Sequence, residues 1–226
     1  MPGRDWPSGT DRAPGDTAQR DIMFENFGGA ERDAIGEIVN IAVGRAAALL
    51  SDLVGTALGL TIPSVAIIAP EDSLARLDPE AETVAVRQCF GGALNGEIML
   101  VLPELRSLDL VRSMLARDNP LGQLTELEQE GLIEIGNIVL NACLASLADK
   151  LGLPVESTLP VYLRGRTAHA VVPGGPRPDG EEEPVLHFDI AFTLSDKVIG
   201  GCIVCAMDRA SVATFGRAVR AFAGGG

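Results

Sequence analysis

Basic charge is what this chain has least of. Eighteen Lys and Arg stand against thirty-one Asp and Glu, giving a formal net charge of −13. Nucleic acid and anionic membrane surfaces both require a basic footprint, so neither fits as a partner. An acidic chain still engages a phosphorylated protein when that partner supplies the cations. Uninterrupted apolar runs are also missing: none reaches the ~18–20 residues of a membrane span, so no membrane insertion is expected. The first 21 residues hold no hydrophobic signal core, which argues against export. Thiol and imidazole ligands are few, with four Cys and two His. Cys202 and Cys205 form a C-x2-C, but the surrounding VIGGCIVCAM reads as a strand, which would send the two thiols to opposite faces. No second pair or nearby His completes a zinc set. The two cysteines read as buried small hydrophobes, and the chain as a reduced, cytoplasmic protein. His169 and His187 lie in or beside strands, and neither is given a role.

What is present is a repeat. Residues 31–63 read ERDAIGEIVNIAVGRAAALLSDLVGTALGLTIP, and residues 128–160 read EQEGLIEIGNIVLNACLASLADKLGLPVESTLP. Displaced by 97 positions, Glu31 falls on Glu128, Asp33 on Glu130, Glu37 on Glu134, Asn40 on Asn137 and Pro63 on Pro160. A constant offset of this kind signals an internal duplication. Two copies are too few for a solenoid, so the 226 residues, 46% of them hydrophobic, are expected to form one domain with two pseudo-equivalent halves.

Each copy has a helical period. At about 100° per residue, Asp33, Glu37, Asn40 and Gly44 fall within roughly 60° of one another. Ile35, Ile38, Ala42, Leu49 and Leu53 lie around the rest of the cylinder and are expected to bury it. The polar face is unusual. Instead of mixed i,i+4 charges it carries acid, acid, amide and Gly, and the second copy carries Glu130, Glu134, Asn137 and Asn141. Asn is a mediocre helix former, so its central place in both helices asks for a reason.

The pattern Asp/Ser-x3-Glu-x2-Asn-x22-Pro resembles that of the CheC/CheX/FliY phosphatases of bacterial chemotaxis. Asp33, Glu37, Asn40 and Pro63 match it in full. Glu134, Asn137 and Pro160 match it again with the family-typical EIGN, and Glu130 departs at the first position. Val39 stands where the first copy would have that Gly. Two such helices are similar to CheC rather than to the one-site CheX. The resemblance covers about residues 29–222. It implies an α+β fold: one duplicated domain with a single antiparallel sheet shared by both halves and the two motif helices together on one face.

Along the chain, residues 1–22 read as a disordered leader, and 23–226 as the CheC-like domain, with halves at about 29–118 and 124–222. Helices are expected at about 30–54 and 126–151, ended by Gly55 and Gly152, and at about 105–116 and 209–222. Strands are expected around Pro63 and Pro160, as a pair turning near Gly91 to Gly96, and as a hairpin through 195–197. Residues 118–124 form the seam, and 173–184 a loop.

The resemblance also implies a chemistry. If the substrate is the phosphoaspartate of a CheY-like response regulator, hydrolysis passes through a loose transition state in which positioning dominates and a strong base gains little. A carboxylate beside the phosphoryl group would be repelled. A neutral amide can enter, accept from water and hold it in line. Asn40 and Asn137 are accordingly the expected water-positioning residues. Glu37 and Glu134, one turn earlier, would take a charge-assisted bond from a Lys of the regulator. Asp33 and Glu130 are further partner-binding acids, which pair with a cation such as Arg32 or favour the positive end of their helix. The family keeps its Mg²⁺ on the regulator, so no cofactor of the chain's own is expected, and CheD is a further family partner. The alternatives are a non-catalytic binding or scaffold protein for a regulator or CheD, or a flagellar switch component.

Overall fold

The computed structural model describes residues 27–55, 57–69, 72–73, 76, 82–115, 125–166, 185–194 and 197–224. The expected leader, the seam at 118–124, the loop at 173–184 and His169 lie outside them. Among the described residues, the order is α1 (Gly29–Val54), β1 (Leu58–Ile68), β2 (Glu82–Gly92), β3 (Gly96–Pro103), α2 (Glu104–Leu115), α3 (Glu126–Leu151), β4 (Val155–Ser157), β5 (Val161–Arg166), β6 (Val185–Leu194), β7 (Lys197–Met207) and α4 (Arg209–Gly224).

The seven strands form one antiparallel sheet in the order β1-β6-β7-β3-β2, with β4 and β5 both pairing along the outer side of β2. Strands of the two halves alternate across its flanks: β1 pairs with β6, while β4 and β5 pair with β2. At the centre β3 pairs with β7. The order therefore reads the same from either edge once the halves are exchanged.

Both faces of the central strands are covered. Ile98, Leu100, Ile203 and Cys205 join the core beneath the helices, whereas Met99, Val101, Cys202 and Val204 form a second cluster on the opposite face. Cys202 and Cys205 thus do point opposite ways. Burial pushes both thiols up to about 12, so they stay protonated and inert at neutral pH.

Helices α1 and α3 pack on each other over one face of the sheet, with α4 against both. Each ends at a left-handed Gly, at Gly55 and Gly152, where a Cβ would be strained. Their starts differ. Helix α3 opens with a capping box in which Glu128 Oε2 accepts from Thr125 N at 2.7 Å while Thr125 Oγ1 accepts from Glu128 N. Arg112 Nε closes the arrangement on Glu128 Oε1 at 2.7 Å. Helix α1 begins at Gly28 with no side-chain cap.

One expectation is corrected. The buried stripe of α1 is Ile35, Ile38, Val39, Ala42, Val43, Ala46 and Leu50, whereas Leu49 and Leu53 are 58% and 61% exposed. Their angle on the cylinder is suitable, but no layer among the described residues covers that side of the last turns. Read as whole helices rather than uninterrupted runs, α1 and α3 are also long and apolar enough to cross a membrane. Here their apolar stripes pack in the core.

Candidate functional site

The spacing from Asn to Pro has a structural cause on α1. Pro63 has no N–H to give the ladder, and the β1–β6 register slips between Thr61 and Ser64. The slip leaves the Ile62 N–H out of the pairing, and it donates to Asn40 Oδ1 at 3.2 Å. Twenty-two residues is the length of chain that climbs the rest of α1, turns at Gly55 and returns along β1 to that point. The amide is exposed on the solvent side of the helix. Its oxygen keeps one acceptor position, and its N–H2 makes no bond among the described residues.

The second copy is built the same way but finished differently. Pro160 separates β4 from β5, and the pairing along β2 shifts by one residue between Phe90↔Ser157 and Arg87↔Val161. Gln88 lies opposite this gap. It is buried on the helix side of β2, in line with Val84, Val86 and Phe90. Its Nε2 donates to Thr158 O at 3.2 Å and to Asn137 Oδ1 at 3.1 Å. Asn141 Nδ2 donates to the same Asn137 oxygen at 2.7 Å, and Ser157 Oγ holds Asn141 Oδ1 at 2.8 Å. Asn137 is half-buried, where the motif face was expected to be open.

Two sequence differences at the 97-residue offset explain this. Gly136 precedes Asn137, and a Cβ there would lie 2.5 Å from Val86, so only Gly lets α3 approach β2 this closely. Val39, fully buried, stands at that position in α1. Asn141 corresponds to Gly44, which has no side chain to offer Asn40.

Glu37, Glu134, Asp33 and Glu130 are exposed, and none forms an ion pair among the described residues, Arg32 included. Asn40 and Glu37 therefore share one accessible face, as do Asn137 and Glu134. No three His, Cys, Asp or Glu side chains converge as a metal site among the described residues.

Sequence reasoning missed Gln88. The available signal was a lone amide at an inward position of the apolar run TVAVRQCF. It also missed a Ser–His–Asp chain on the opposite face of the sheet. Ser73 Oγ lies 2.8 Å from His187 Nδ1, and His187 Nε2 lies 3.0 Å from Asp189 Oδ1. Asp189 also accepts from Ser64 and faces Arg76. Ser73 and His187 are completely buried, so the order of groups that serves acyl transfer elsewhere here ties the residues after β1 to β6. Burial holds the imidazole below its usual range. Burial also pushes Asp189 up, but hydrogen bonds from Ser64 and His187 outweigh it and leave the carboxyl lower than usual.

No family model matches the chain. Among solved structures it is similar to FliY from Thermotoga maritima, at 22% identity and a TM-score of 0.68 over 86% of this chain and 98% of that one. It is similar to the FliM middle domain from H. pylori, at 9% identity and a TM-score of 0.60 over 84% and 99%. A chemotaxis protein CheX from Desulfovibrio desulfuricans follows the same path at 16% identity, with a TM-score of 0.52 over 76% and 99%. The architecture is therefore the α+β fold common to FliY, CheX and FliM.

Proposed function

We propose that a chain with this fold and this helix face is a protein phosphatase of bacterial chemotaxis, hydrolysing the phosphoaspartate of a CheY-like response regulator. The observation that carries the reading is the amide of Asn40. It is exposed and oriented by a backbone N–H that Pro63 releases, and it stands one turn from an unpaired, exposed Glu37. An amide bound at only one acceptor position can accept a hydrogen bond from water at the other and hold that water in line with the acyl phosphate. Being uncharged, it approaches the phosphoryl oxygens without repulsion. Glu37 and Glu134 accept a charge-assisted bond from a cationic residue of the regulator, which sets the register of docking. Any Mg²⁺ would be held by the regulator, where it would supply charge neutralisation, with this chain's residues left to position water and dock the partner. A regulator of this kind places the protein in the cytoplasm, with CheD as an additional partner.

The likeness to the FliM middle domain favours a second reading, in which the same face holds a regulator or a flagellar switch protein without turnover. Phosphate release from an acetyl-phosphate-charged CheY-like regulator separates the two. Acceleration by the wild type that is lost in the Asn40→Ala, Asn137→Ala double variant supports the phosphatase. No acceleration leaves only the binding reading. Charge reversal at Glu37 and Glu134 to Lys is expected to weaken regulator binding. Unchanged affinity by titration removes the docking role.

A further inference from the structure

We propose that the two motif helices do different work: Asn40 positions the attacking water, and Asn137 is held by Gln88 and Asn141 as a hydrogen-bond donor that binds phosphoryl oxygen without turning it over. The proposal rests on the phosphatase reading and specifies which helix performs it.

The argument starts from the orientation of Gln88. Thr158 O can only accept, so the atom of Gln88 that faces it is the donor Nε2. The same Nε2 reaches Asn137, which must present its oxygen. Asn141 donates to that oxygen as well. A carboxamide oxygen has two acceptor positions, and both are filled from within the protein. Asn137 therefore has nothing with which to accept from a water, and its Nδ2 donors are what it offers to a visitor. A phosphoryl oxygen is the acceptor on the proposed partner that suits them. Among the described residues Asn40 has a single internal donor, Ile62 N, and Gly44 supplies no second.

The Oε1 of Gln88 is buried with no partner among the described residues, and such an orphan costs stability. A methionine of similar shape would avoid that cost. What Gln88 adds is control of the Asn137 amide, which makes it a positioning residue.

Two measurements on the full chain test this. In the first, without any partner, the side-chain N–H2 protons of Gln88 and Asn141 are followed by hydrogen exchange in NMR. They are expected to exchange slowly in the wild type, and those of Asn141 to change when Gln88→Met is introduced. Exchange at the solvent rate in the wild type would overturn the proposal whatever the partner. In the second, phosphate release from an acyl-phosphate-charged CheY-like regulator is measured. Asn40→Ala is expected to lower kcat by about a hundredfold, and Asn137→Ala to act on KM. Adding Gln88→Met, or the milder change Asn141→Ala at a half-buried position, to Asn40→Ala is expected to raise the residual kcat severalfold, because one acceptor position on Asn137 is then freed. A wild type that is active but loses kcat at Asn137→Ala and keeps it at Asn40→Ala sinks this assignment and leaves the phosphatase reading standing. An inactive wild type removes both.

Discussion

A buried imidazole that stays neutral makes folding sensitive to acid. His187 titrates lower in the folded protein than in the unfolded chain, because burial disfavours its charged form. Below about pH 6.5 the unfolded chain therefore binds a proton that the native state refuses, and stability falls as pH falls. Asp189, whose folded carboxyl is also lowered, adds a second loss as the pH falls further, through the ordinary carboxylate range. Urea titrations of the wild type are expected to show decreasing stability from about pH 6.5 downward. His187→Gln, which keeps hydrogen-bonding capacity, is expected to flatten the upper part of that decline. An unchanged profile would show that His187 is protonated in the folded state. At the motif, Asn40→Ala removes an exposed side chain with one hydrogen bond, so its effect on stability is expected to be within about 1 kcal/mol. A large fall in Tm would mark Asn40 as a structural residue instead.

The long helices show how similar sequences yield unlike elements. Glu31 and Glu128 are the same residue at the 97-residue offset, yet only Glu128 closes a capping box and meets Arg112. Burial pushes Glu128 up, but hydrogen bonds from Arg112 and Thr125 outweigh it and keep the carboxylate ionised. Glu128→Ala is expected to cost about 2 kcal/mol by denaturant unfolding, and Glu31→Ala much less. Equal effects would show that the cap is dispensable. Gly136 is the second such element. A methyl group there meets Val86, so Gly136→Ala is expected to destabilise by about 1–3 kcal/mol. It should also lift α3 away from β2 and break the Gln88 bond, visible as faster exchange of the Gln88 amide. Retained slow exchange would show that α3 accommodates the methyl without moving.

The whole molecule is held together by an exchange of strands. Because β1 pairs with β6, and β4 and β5 with β2, neither half retains the edge partners that its own strands need. The helical layer is likewise joint, with α1 packed on α3 and one core beneath both. Calorimetry is expected to show a single transition, and residues 27–115 expressed alone are not expected to fold. A cooperative melt of that fragment would show that the halves are independent units. The strand order also puts the two Pro breaks on opposite flanks of the sheet, one along β1 and one between β4 and β5.

Much of this was legible in the residues. Periodicity and glycine stops placed α1 and α3 within a residue of their ends. The turn residues placed β2, β3, β6 and β7, and the Asn–Pro spacing singled out Asn40, whose oxygen meets the strand break at Ile62. These are local properties, set by 100° per residue, by a left-handed Gly and by a proline without an N–H. Sequence periodicity reports an angle, however, and an angle does not say whether a neighbour is there, so Leu49 and Leu53 were placed inside and lie outside. Nor does it report a bond across 49 residues. That β2 would lie beside the Pro160 break, with Gln88 turned inward onto Asn137, depended on strand pairing and on how closely α3 approaches the sheet. Those follow from packing the entire chain at once.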